Sequence, residues 1–229
     1  MIFPELKARC RERFLEVSTF LGFISNLEPS PEAIEPTSIE VKVLRGLFYV
    51  HLYSAMERTI NDISETSLNY VSGKEIKFVD YTSPLLALAL QDQIRSLRNC
   101  SATKVLQKSI DLFSIANSQE VSIISNTSLA TALQNTWGAT INELLQVFGI
   151  SSQPISGRER STIDEVVDKR NAVAHGRDSA AAVGERFRCS DLRMRYDVVY
   201  DLMARLVDMF DEYCSNKEFV TTEIRSTYA

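Results

Sequence analysis

The residues of this 229-residue chain best suited to chemistry gather in one string, VVDKRNAVAHG, from Val166 to Gly176. An arginine can hold a phosphate and the charge that develops on it, and an imidazole can take or give a proton near neutral pH. An amide can orient either group. On a helix Asn171 and His175 stack one turn apart, and Arg170 lies roughly 140° around from His175, within reach of a long side chain. Ala172 and Ala174 between them leave room for a close approach. Arg170, Asn171 and His175 are therefore the candidate catalytic residues, and Lys169 and Arg177 beside them the candidate substrate-binding cations. The kit suffices for cleavage of RNA by attack of a ribose 2′-hydroxyl on the adjacent phosphate, without metal or cofactor. It would leave a 2′,3′-cyclic phosphate. The competing reading is structural, since cations near a helix C-terminus are favoured in any case.

Other chemistries find little support. There is no phosphate-binding GxxxxGK[ST] loop, no GxGxxG, no HExxH and no GxSxG elbow. The second histidine, His51, lies among Tyr49, Val50, Leu52 and Tyr53 and reads as an ordinary helix residue. Cys10, Cys100, Cys189 and Cys214 have no CxxC spacing and are expected as reduced thiols rather than metal ligands. Glu57 or Asp168 could orient Arg170, or be no more than solvated helix charges.

The elements that must position these residues read as helices. Only eight Gly and six Pro punctuate the chain, too few for a many-stranded sandwich or barrel. Phe3, Leu6, Cys10, Phe14, Val17, Leu21, Ile24 and Leu27 recur at helical spacing up to Pro29, Pro31 and Pro36. A second stripe from Ile39 through Val41, Leu44, Phe48, Leu52, Met56, Ile60 and Ile63 runs toward Gly73. Lys74–Tyr81 reads as a loop. Helices are expected in LLALALQDQIRSL after Pro84 and over Lys104–Ala116. Another is expected from a Ser128 cap with the stripe Leu129, Leu133, Trp137, Ile141, Leu144 and Phe148, closed by Gly149. Ser161 and Asp164 suggest a cap for a helix from Thr162 to about Ala174, stopped by Gly176. Ser190 opens the last, with the stripe Leu192, Tyr196, Val199, Met203, Leu206, Phe210 and Tyr213. That stripe suits an internal core or a seam between subunits. Trp137 and the tyrosines read as core. The expectation is a single all-α domain over residues 1–229, a bundle of five to seven helices with no substantial sheet.

The net charge of −5 opposes nucleic acid at long range, so such a partner must be held locally. Residues 158–205 carry ten basic and nine acidic side chains, against −6 for the rest of the chain. Arg177, Arg186, Arg188, Arg193 and Arg195 could rim a cleft or form a solvated face with Glu185 and Asp191. No signal-type or membrane-spanning apolar run is present, and a soluble cytoplasmic protein is expected.

The string Arg-Asn-x-x-x-His-Gly at a helix end, followed by a linker and a long final helix, resembles the HEPN superfamily (higher eukaryotes and prokaryotes nucleotide-binding). FYVHLYSAMERTINDI, Phe48–Ile63, is similar to the second helix of its RiboL-PSP and MAE-type branch, found beside prokaryotic defence and toxin genes. The resemblance implies an all-α bundle and a homodimer joining two Arg-x4-His motifs in one cleft. It also implies a metal-independent endoribonuclease of toxin or defence type with an RNA substrate and an antitoxin or defence-system partner. It makes Arg170 the phosphate-binding arginine, Asn171 the polar residue after it and His175 the proton-transferring histidine. A tyrosine two places after the histidine marks the toxins paired with a nucleotidyltransferase antitoxin. That place is Arg177 here, so tyrosine modification of that kind is not carried over. The alternative is an inactive HEPN-like module that binds RNA, a nucleotide or a protein partner.

Overall fold

Nine α-helices, three single-turn 3₁₀ helices and no sheet account for the regular structure among the described residues. The computed structural model describes residues 2–29, 36–122, 124, 136–150 and 154–228. The helices are α1 (Pro4–Leu27), α2 (Ile39–Ser72), α3 (Ser83–Ala89), α4 (Gln91–Arg98), α5 (Val105–Ala116), α6 (Gly138–Val147), α7 (Gly157–Ala174), α8 (Ala180–Glu185) and α9 (Cys189–Ser215). The count exceeds the expected five to seven for two reasons. The run after Pro84 breaks at Leu90 into α3 and α4, and the linker after Gly176 forms the short α8. The proposed Ser128 cap with Leu129 and Leu133, like Pro31, lies outside the described residues.

The 34-residue α2 is the axis of the bundle, with α1, α7, α8 and α9 packed around it. Its apolar positions Phe48, Leu52, Met56, Ile60 and Ile63 are fully buried. The α9 stripe from Leu192 to Tyr213 is buried within the chain too, so it serves the internal core rather than a seam. Removing that apolar surface from water is the main driving force for the assembly. Where α2 meets α1 and α9, the buried Arg45 pairs with Glu28, whose other carboxylate oxygen accepts from Cys189 N at 3.0 Å. The chain start is tied in by Asp211 of α9, which accepts from Ile2 N at 2.6 Å and pairs with Lys7 at 2.9 Å.

Three sequence expectations are corrected. The helix carrying the motif begins at Gly157, not Thr162: Ser156 accepts from Glu159 N at 3.3 Å and Glu159 accepts from Ser156 N at 2.6 Å, a reciprocal cap. Asp164, expected to belong to a later cap, instead accepts from Gly138 N at 2.9 Å. Trp137 caps α6 with 37% of its surface exposed and is not core.

The linker after the motif touches α2 backbone to backbone. A Cβ on Gly46 would stand 2.0 Å from the Ala180 carbonyl oxygen, and one on Gly184 1.9 Å from that of Lys42. Only hydrogen fits at either place. Lys42 and Glu185 close the same crossing with a 2.6 Å ion pair. Gly46→Ala or Gly184→Ala should each cost about 2–3 kcal/mol or more by overpacking. Gly22→Ala, with open space at a mid-helix position, should gain about 0.5–1 kcal/mol. Chemical denaturation of the three variants checks this, and equal effects would contradict the close approach.

Candidate functional site

The motif sits on the last turns of α7. Ile163, Val166 and Val167 bury the inner stripe of that helix, and Arg170 falls four residues after Val166, at the edge of the same stripe. A guanidinium there must find partners before it leaves water. α2 provides them from Tyr53 and Glu57, one turn apart on the side facing α7. The Arg170 guanidinium lies over the Tyr53 ring, 3.7 Å from its centroid, a cation–π contact. One of its terminal nitrogens is 3.7 Å from Glu57 Oε1, and the other donates to Asn171 Oδ1 at 2.7 Å. The Tyr53 hydroxyl donates to the same Glu57 oxygen at 2.6 Å and accepts from Thr136 N at 3.3 Å. Only 18% of the Arg170 side chain remains exposed. Its position is thus set by the fold itself.

His175 is the residue at which α7 ends. Its backbone N–H still bonds the Asn171 carbonyl at 3.0 Å, and Gly176 then takes φ +69°, a left-handed conformation that glycine adopts without strain. Asp178 N reaches back to the Ala172 carbonyl at 3.1 Å and finishes the turn. These bonds leave the His175 imidazole exposed at the end of the helix, one turn beyond Asn171. α8 follows at once, capped by Ser179, and its glycine contact with α2 anchors the chain just after the motif.

Lys169 and Arg177 converge on Asp168, Lys169 at 3.2 Å and Arg177 at 2.7 Å. The Arg177 hydrogen bond, followed by that of Lys169, holds the Asp168 carboxyl below the usual carboxylate range. Asp168 thus serves these two cations, and Glu57 is the carboxylate at Arg170. Several of the later arginines hold the bundle together. Arg195 grips Glu165 of α7 through two nitrogens at 3.1 and 3.2 Å, Arg193 donates to Ser18 of α1, and Arg186 pairs with Asp178. His51 stands on the α1 side of α2, its ring 5.6 Å from that of Phe20.

Tyr53 is the site residue that sequence reasoning assigned to the core alone. Its ring is buried as expected, but its face and hydroxyl carry the arginine. The Tyr-x-x-x-Glu spacing four residues apart on α2 was the available signal, and it became meaningful only once α7 lay against it. Burial, and then the hydrogen bond to Glu57, push the Tyr53 phenol up to about 12 from an ordinary value of about 10. The neutral phenol is favoured in the folded chain, so the stability this gives is present below pH 10 and is lost as pH rises toward 12. Urea unfolding between pH 9 and 11.5 should show the parent losing stability faster than Tyr53→Phe. Parallel losses would mean that burial and Glu57 do not hold the phenol in its neutral form.

The RiboL-PSP-HEPN family model matches residues 8–212, which takes in α2, the motif and most of α9. No curated protein and no solved structure matches the chain. Among the described residues no helix is long and apolar enough to cross a membrane. With its all-α bundle and a match over nearly its whole length, the chain belongs to the RiboL-PSP-HEPN family.

Proposed function

We propose that this protein is a metal-independent endoribonuclease whose active cleft is completed by a second copy of the chain. The observation that carries the reading is the preset Arg170, stacked on Tyr53 and flanked by Glu57 and Asn171, on the same helix end as an exposed His175. Arginine is always charged and presents several donors in a rigid fork, which suits a phosphate in the transition state. A cation already positioned needs no reorganisation as charge develops, which is where electrostatic catalysis gains most.

In this reaction the ribose 2′-oxygen attacks phosphorus while the 2′-hydroxyl proton passes to a histidine. The bond from phosphorus to the 5′-oxygen breaks, and that oxygen takes a proton from a second acid. Arg170 balances the negative charge on the non-bridging oxygens. Lys169 and Arg177, linked through Asp168, lie beside the motif as contacts for flanking phosphates. One chain offers His175 at this end of α7, whereas His51 lies against Phe20 on the α1 side of α2. The second proton-transfer group therefore comes from the His175 of a second copy, and a two-fold axis past the end of α7 would bring the motifs together. The defence or toxin setting, with an antitoxin or other partner, follows from the family alone.

The test is incubation of purified protein with a long single-stranded RNA in EDTA. The parent should cut it, and His175→Ala and Arg170→Ala should each be slower by about 10²–10⁴-fold with unchanged circular dichroism. Cleavage that survives in His175→Ala, or that stops on adding EDTA, would reject the mechanism. Light scattering should give a mass near twice the 25.8 kDa of one chain. An active species of single-chain mass would remove the shared cleft.

A further inference from the structure

Around α2 from the motif is a second cluster of arginines that the reaction above leaves unused. Asp62, buried on the side of α2 that faces α1, accepts from Arg13 at 2.5 Å and from Arg9 Nε at 3.3 Å, and pairs with Arg58 Nε at 3.1 Å. One carboxylate is enough to balance one guanidinium, and three against one leave a local charge of +2. Glu5, Glu12, Glu16 and Glu65 on neighbouring turns are exposed, and among the described residues none of them pairs with these arginines. The arginines are also unevenly satisfied. Arg9 and Arg58 keep 44% and 62% of their side chains exposed and meet Asp62 through Nε. The second terminal nitrogen of Arg13 is buried and has no hydrogen-bond partner there. Leaving a buried donor unpaired is costly, so this is not the cheapest way to hold α1 on α2. A staple between two helices needs one arginine; this arrangement holds donors for a further anion.

Its place on α2 indicates which anion. At 100° per residue Glu57 and Arg58 stand on the two edges of one exposed strip of α2, with Ser54 and Asn61 between them, all polar. The Glu57 edge carries Arg170 of the motif, and the Arg58 edge carries the Asp62 cluster. Along the axis Glu57 and Asp62 are separated by about 7 Å. A flexible chain of phosphates held at Arg170 can cross this strip and set a later phosphate on the second cluster.

We infer that Arg9, Arg13 and Arg58, gathered on Asp62, form a second phosphate-binding site that holds single-stranded RNA where it leaves the catalytic cleft. The inference rests on the ribonuclease reading for the cleft, but its own test is binding. Phosphate contacts position a strand and carry no base information, so the site adds affinity and salt dependence but little sequence preference.

The experiment uses the full chain bearing His175→Ala and a fluorescently labelled single-stranded RNA, with anisotropy read over a range of salt. Arg9→Gln with Arg58→Gln, which leaves Arg13 to neutralise Asp62, should weaken binding roughly tenfold at low salt. It should also make the logarithmic salt slope shallower by about 1.4, for two phosphates on a single strand. Arg9→Lys with Arg58→Lys, which keeps the charge, should retain the slope. Unchanged affinity and slope in the glutamine pair would overturn the inference. So would a lysine pair as defective as the glutamine pair, or a glutamine pair that dissociates to a single-chain mass, which would make the cluster a contact between copies. Cleavage by the chain with His175 intact is read separately. RNA bound through Arg9 and Arg58 but left uncut by the parent keeps this site and removes the nuclease reading. RNA cut by the parent, with binding indifferent to Arg9 and Arg58, removes this site alone.

Discussion

A guanidinium taken largely out of water must be given an acceptor and a surface to lie on, and the site is built around how α2 does this for Arg170. The stripe that packs α7 against α2 carries Arg170 inward. The Tyr53 ring and the Glu57 carboxylate, one turn apart, receive it there. The tyrosine hydroxyl is committed to Glu57, which fixes the carboxylate in turn. The position of the arginine is therefore a consequence of helix packing and not of the motif by itself. A helix end with the same Arg-Asn-x-x-x-His spacing but no such partner would leave the arginine mobile in solvent.

The second constraint acts on the other side of the histidine. α7 stops because Gly176 adopts a left-handed turn, and the chain is immediately pressed onto α2 at Gly46 and Gly184, where the backbones nearly touch. Together the two anchors hold the end of α7 between the Tyr53–Glu57 pair and the glycine crossing. His175 is left in the open while its backbone is held. That combination suits a proton-transfer group, which must reach a substrate without wandering.

The long helices were legible because apolar periodicity records burial directly: α1, α2 and α9 follow their stripes, and Gly73, Gly149 and Gly176 fall at or just after helix ends. What periodicity does not record is the choice between two equivalent caps. Ser156 with Glu159 and Ser161 with Asp164 have the same spacing; the first closes the start of the helix, while Asp164 accepts from Gly138 N. Nor does it record a backbone contact made by glycines about 140 residues apart, nor that a core tyrosine also presents its face to an arginine. The motif itself was legible, as was the possibility that Glu57 serves Arg170. The pairing of Lys169 and Arg177 on Asp168 was not, because it depends on the turn after Gly176 bringing Arg177 back to α7.

Family membership supplies the all-α frame and a nucleotide-handling or ribonuclease-like ancestry, and in the reaction proposed above the chemistry rests on Arg170 and His175. The chemistry turns on the nucleophile, since a motif with one arginine and one histidine per chain has been assigned a reaction in which the substrate attacks itself. The most direct measurement is end-group analysis of products from an RNA oligonucleotide in EDTA, run beside the same sequence with 2′-deoxyribose throughout. The account predicts 2′,3′-cyclic phosphate ends from the first and no cleavage of the second. Cutting of the deoxy strand, or products ending in a 3′-hydroxyl, would contradict it.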